Sequence, residues 1–171
     1  MKNIILSIFA AVIVFGEISA QNNTVSAFLL KWENSKNYLL EIAEAMPEEK
    51  YDFKPTKREM TFEEQLRHIS ENMHWLSESY LAGSDFVKSE KIIPQGKKEI
   101  LKSLNRAFDK VYEIVKIIPL DNLSDEVAFL NEPKSKLQIL NLLQDHVTHH
   151  RGQLVVYLNL NNVAPPKYIG W

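Results

Sequence analysis

At 171 residues and 45% apolar content, the chain has the length of one domain with a real core, and its composition excludes a disordered polymer. The formal charge is -2 at pH 7 and no five like charges run together, which excludes the basic footprint of a nucleic-acid binder or a polybasic membrane patch. With no cysteine, a disulfide framework, a thiol nucleophile and thiolate ligands are excluded as well.

The first twenty residues, MKNIILSIFAAVIVFGEISA, have one lysine, an apolar stretch from Ile4 to Phe15, and a more polar end at Ser19-Ala20. That is the layout of a secretory signal peptide, and the apolar run is short for a bilayer span; the alternative is an uncleaved anchor or a buried first helix. Ala20 stands where cleavage is expected, although Ile18 is larger than the usual small residue two positions earlier. The expected domains are a signal peptide over 1–20 and one folded domain over 21–171. The product is expected to be exported, periplasmic or secreted. It keeps no membrane anchor after cleavage, since no cysteine follows the leader to carry a lipid.

Four helices are predicted. From Thr24 the apolar positions Val25, Phe28, Leu29, Trp32, Leu39, Ile42, Ala43 and Met46 recur mostly at steps of three and four, and Pro47 ends the run. The second helix starts at Thr61, where TFEE reads as a capping box. Its stripe is Phe62, Leu66, Ile69, Met73, Leu76 and Tyr80, with Gly83 as the stop. The third carries Ile100, Leu101, Leu104, Phe108, Val111, Val115 and Ile118 before Pro119. LDNLSDEVAFLNEP reads as a long crossover, with no strand expected. The fourth helix runs from near Ser135 to about Asn161, with Pro165 and Pro166 closing it. Together these make an all-α, four-helix bundle with a long crossover connection.

Three of the five histidines fall in one stretch, DHVTHHRGQL, on the fourth helix. On a helical wheel His150 lies about 35° from the centre of the apolar sector, His146 about 75° and His149 about 135°. His146 and His150, four apart, stack on one face with Cβ atoms about 5–6 Å apart, close enough to grip one ion. Two neutral imidazoles on an apolar face are costly to bury without partners. The spacing is that of the zinc-protease HExxH motif, but the glutamate is missing, so that chemistry is not implied. His149 points away. For a third ligand the second helix offers His68 and His74, each about 120° from its stripe, on opposite flanks. His68 shares its flank with Trp75, which favours it slightly. Gln153 lies on the histidine face, where it can bond a ligand or a backbone group. Arg151 lies off that face, where an ion pair with Glu71 or Asp145 is expected, and Gly152 is expected to admit close approach by another helix or the tail. Three neutral histidines suit Zn²⁺, Ni²⁺, Fe²⁺ or Mn²⁺ and leave coordination positions open to water or substrate.

Three segments resemble the DinB-like (DinB/YfiT-like) family of metal-binding four-helix bundles. MPEEKYDFKPTKREMTFEEQLRHIS is similar to the lead-in to the family's second helix, DHVTHHRGQL to its HxxxHRGQ stretch, and VYLNLNNVAPPKYIGW to its tail. The three segments make up about a third of the mature chain, and the HRGQ stretch with its upstream histidine is the specific part. It implies a metal triad of His68, His146 and His150. Members of that family include thiol transferases that act with bacillithiol or mycothiol, and many with no assigned reaction. Those thiols are cytosolic, whereas this chain is expected to be exported, which sets it apart from those transferases. The functional expectation is a metal-dependent transferase or hydrolase acting on a small molecule. The alternative is a non-catalytic metal-binding or stress-related bundle, and a third reading has the histidines merely bonded in the core. A homodimer through Trp171 or a helix face is also an expectation.

Overall fold

The computed structural model describes residues 2–83 and 94–170, with side chains from Thr24 onward. The side chains of residues 2–23, which include the expected signal peptide, and Trp171 therefore lie outside the described residues. Among those described, four long helices carry the fold: α1 (Lys2–Ala45), α2 (Phe62–Leu76), α3 (Lys97–Lys116) and α4 (Lys136–Leu160). None of the described helices is long and apolar enough to cross a membrane.

Each helix forms where its residues demand it. At the start of α2, Thr61 Oγ1 accepts the Glu64 N–H at 3.1 Å while Glu64 Oε2 accepts the Thr61 N–H at 2.7 Å. At the start of α4, Ser135 and Gln138 make the same reciprocal pair, at 3.2 and 2.8 Å. Beyond Leu76 the chain widens into a π-helical turn, Ser77–Leu81, and Gly83 then takes φ +67°, a left-handed turn that glycine adopts without strain.

The helices form a closed ring: α1 packs on α3 and α4, and α2 packs on the same two. Consecutive helices α3 and α4 are thus diagonal neighbours, so the chain between them crosses one end of the bundle. The core holds Trp32, Leu39, Phe62, Leu66, Ile69, Phe108 and Leu143, all fully buried. Trp32 both packs on the Phe108 ring, with centroids 4.9 Å apart, and donates its indole N–H to the Phe108 carbonyl at 3.1 Å. This joins α1 to α3 and satisfies the one polar atom of a large buried ring.

The crossover is not strand-free. It forms a hairpin, β1 (Glu126–Phe129) paired antiparallel with β2 (Glu132–Ser135), with Phe129 opposite Glu132. The two turn residues, Leu130 and Asn131, have φ of 49° and 69°, the left-handed pair that matches hairpin twist. A leucine there is uncommon, and strands containing Pro133 and Lys134 carry little β preference, which is why the sequence reads as a loop. Phe129 anchors the hairpin on α2 and its π-helical turn, 5.8 Å from the Trp75 ring and 5.1 Å from that of Tyr80.

Before α2, the segment from Pro47 to Met60 is tied down by its backbone. The Glu63 N–H donates to the Tyr51 carbonyl and the Phe62 N–H to the Phe53 carbonyl, both at 2.9 Å. The Tyr51 hydroxyl donates to the Ala43 carbonyl at 2.7 Å, and burial, with Glu44 adding to it, raises its pKa. The segment is therefore a fixed strap over the end of α2 beside the histidines.

Candidate metal centre

Helices α2 and α4 run antiparallel, so Gln65 meets Gln153 and Tyr157 while His68 meets His146 and His150. The i, i+4 spacing on α4 supplies two rings and α2 supplies the third. Ring centroids are 4.9 Å apart for His68 and His146, 4.7 Å for His68 and His150, and 4.4 Å for His146 and His150. One ring nitrogen from each lies within 4.8 Å of the others, making the three a group able to hold a metal ion. His150 is buried, 7% exposed, and His68 and His146 are half-buried.

The donor set fits a divalent cation. Nε2 of His146 and Nε2 of His68 face each other at 3.1 Å. Two nitrogens held by one ion at about 2.0–2.1 Å, at angles between octahedral and tetrahedral, lie about 2.8–3.4 Å apart. A single proton between the two nitrogens serves only that pair, whereas a cation serves all three rings. Nδ1 of His146 is buried without a hydrogen-bond partner, so no protein group holds that ring from behind. Both α4 rings are kept neutral, as ligation requires. Burial, followed by the neighbouring imidazoles of His150 and His68, lowers His146 to about 3. Burial and then His68 lower His150 to about 4, against an upward pull from its hydrogen bond to Gln153.

The other histidines fall elsewhere. His149 is exposed, with Nε2 3.3 Å from the Gln153 amide nitrogen. His74 pairs locally, Nδ1 lying 3.6 Å from Glu78 Oε1 one turn on. Gln153 does turn to the histidine face, its Oε1 lying 3.0 Å from His150 Nδ1. Sequence reasoning missed Gln65, which is buried and sets Oε1 2.5 Å from the same nitrogen. Its signal was available: an amide at position i−3 from His68, between the stripe residues Phe62 and Leu66.

Two expectations for α4 are corrected. Arg151 does not reach across the surface to Glu71 or Asp145. It is buried against α1, donating to Ser35 Oγ at 3.2 Å, with its guanidinium carbon 5.1 Å from the centre of the Tyr38 ring. The cause is that α4 packs on two helices, so the side away from the histidines is covered by α1. Gly152 is exposed, and a Cβ built there meets nothing within 4 Å, so close packing does not account for it.

Known proteins share this architecture. Residues 20–168 match the model of the DinB family. The YjoA protein of Bacillus subtilis (strain 168) is 24% identical over 140 residues, spanning 81% of this chain and 89% of its own. The crystal structure of the B. subtilis DinB-like protein YjoA covers 83% of this chain and 96% of its own with a TM-score of 0.69 at 18% identity. That of a DinB-like protein from Bacillus cereus ATCC 10987 covers 84% and 97% with a TM-score of 0.72 at 19% identity. At such identities the structural likeness speaks for the fold, while the family match spans nearly the whole chain from the end of the leader-like segment. The chain belongs to the DinB family.

Proposed function

We propose that the protein holds one divalent ion, Zn²⁺, Ni²⁺, Fe²⁺ or Mn²⁺, on His68, His146 and His150, and acts outside the cytosol as a metal-dependent hydrolase or transferase of a small molecule. The observation that carries the metal reading is the convergence of three imidazoles from two helices, with ligand nitrogens within 4.8 Å of one another. Three ligands from one side leave further positions for water or substrate, as catalytic sites require. An ion there supplies Lewis acidity, enough to lower the pKa of a water or a substrate thiol. The chain's share is to keep the His146 and His150 rings neutral by burial and to orient His150 through Gln65 and Gln153.

The signal-like leader supports export. It also weighs against a cytosolic thiol as co-substrate and favours water as the nucleophile. A non-catalytic metal-holding role is the second reading, favoured because, among the described residues, no carboxylate joins the three imidazoles to act as a general base. Metal analysis of protein purified without chelators or a histidine tag tests the shared premise. One equivalent of metal is expected, and its absence sinks both readings. Screening the loaded protein with simple esters and with thiol–electrophile pairs then separates them. Turnover abolished by His68→Ala supports the enzyme, and turnover that survives the substitution unchanged rules out the proposed mechanism.

A further inference from the structure

A neutral imidazole carries one N–H and one lone pair, so the tautomer of His150 decides whether it can join a cation site. The hydrogen bonds around it settle the tautomer, beginning from a group with no choice. The Met60 carbonyl can only accept, and the Tyr157 hydroxyl, 2.8 Å away, gives it its single proton. The Tyr157 oxygen is then left as an acceptor, facing Gln65 Nε2 at 3.5 Å. This fixes the Gln65 amide, because turning it over would set its carbonyl against an oxygen with no proton to offer. The same Nε2 donates to Gln153 Oε1 at 3.0 Å. Gln65 Oε1 accordingly faces His150 Nδ1 at 2.5 Å, and Gln153 Oε1 lies 3.0 Å from that nitrogen. Two carbonyl oxygens converge on it, so Nδ1 carries the proton and Nε2 keeps its lone pair. The far end closes consistently, with the Gln153 amide nitrogen donating to His149 Nε2 at 3.3 Å.

Without the phenol a second pattern is equally self-consistent. Both amides turn over together, Gln153 donates to Gln65, and His150 Nδ1 becomes the acceptor. The tyrosine breaks that tie. Its anchor is firm, since Met60 ends the strap held by the backbone bonds of Tyr51 and Phe53.

We propose that Tyr157 and Gln65 are positioning residues that hold His150 as its Nδ1–H tautomer, directing the Nε2 lone pair to the site shared with His68 and His146. In purpose this rests on the metal reading above, but its test does not. Nitrogen-15 NMR of metal-free, histidine-labelled protein reads the tautomer, and zinc titration reads its consequence. The native chain should show His150 as Nδ1–H alone. Tyr157→Phe keeps the ring between Phe53 and Phe62, with centroids 6.0 and 6.4 Å away in the native chain, so the fold should hold. It should give mixed tautomers and, at an even mixture, about twofold weaker zinc binding. Gln65→Leu should weaken zinc about 10–100-fold. Gln65→Glu, which only accepts, should restore the single Nδ1–H form. A native His150 protonated at Nε2, or a Tyr157→Phe spectrum identical to the native one, overturns the proposal. Native Nδ1–H with no zinc uptake supports the tautomer assignment and sinks the metal reading. Zinc uptake with an unchanged Tyr157→Phe spectrum does the reverse.

Discussion

Helix α4 buries polar groups on two sides, and the two sides solve the problem differently. Towards α1, Arg151 meets the Ser35 hydroxyl and the Tyr38 ring, while Gln144 donates to the same hydroxyl at 3.1 Å. There the cation meets an oxygen lone pair and a π face, and the pairing is internal to the chain. Towards α2, three imidazoles converge, two of them kept neutral by burial, and the amides of Gln65 and Gln153 secure only the outer nitrogen of His150. A buried polar group needs a complement wherever it lies. On the first side Arg151 and the Gln144 amide nitrogen find theirs in Ser35 and Tyr38, although Gln144 Oε1 stays without a partner, and on the second the three imidazoles form a group able to hold a cation.

The largest test of that contrast is to remove one ring. His150→Ala is expected to abolish stoichiometric metal, with affinity falling by more than about a hundredfold, beyond the range of outer-shell changes. Equilibrium dialysis against zinc reads it, and full retention of metal would erase the distinction between the two sides. Next comes the opposite side. Arg151→Ala should cost about 2–3 kcal/mol in denaturant unfolding through lost packing and cation–π contact, while metal content stays as in the native chain.

A third test uses acid. His146 and His150 have folded-state values of about 3 and 4, below the ordinary 6.5, so the unfolded chain takes up protons first as pH drops. Stability of the metal-free protein is therefore complete above about pH 6.5 and is lost progressively towards pH 3–4, where the folded rings protonate too. Unfolding curves across that window should show the loss, and Arg151→Ala should leave its shape alone. Smaller still, Gly152→Ala should stabilise the helix by up to about 1 kcal/mol, because an added methyl meets nothing. His149→Ala should change metal content least of all, since that ring is exposed and stands outside the cluster.

What the sequence disclosed follows from what is local. The Thr61–Glu64 capping box, the Gly83 stop and the His146–His150 pair each depend on residues within one or two turns, and spacing suffices to read them. His68 against His74 was harder, because choosing between flanks of one helix needs to know which neighbour lies there. Arg151 failed for the same reason: a single apolar sector describes a helix with one buried side, and α4 has two. The hairpin was hidden by Leu130, which occupies a left-handed position usually held by glycine or asparagine. Gln65 was hidden because a lone amide in an apolar stripe gives no sign of its partners until the facing helix is in place.

Gly152 leaves one more consequence. It stands on the outside of α4, two positions from His150, in space that any side chain can occupy. The chain has no cysteine. A Gly152→Cys substitution would thus introduce the molecule's sole thiol, a unique attachment point for a fluorophore or spin label beside the histidine cluster. A dye placed there, quenched by Ni²⁺ within the bundle, would turn occupancy of the centre into an optical signal while all five histidines stay in place.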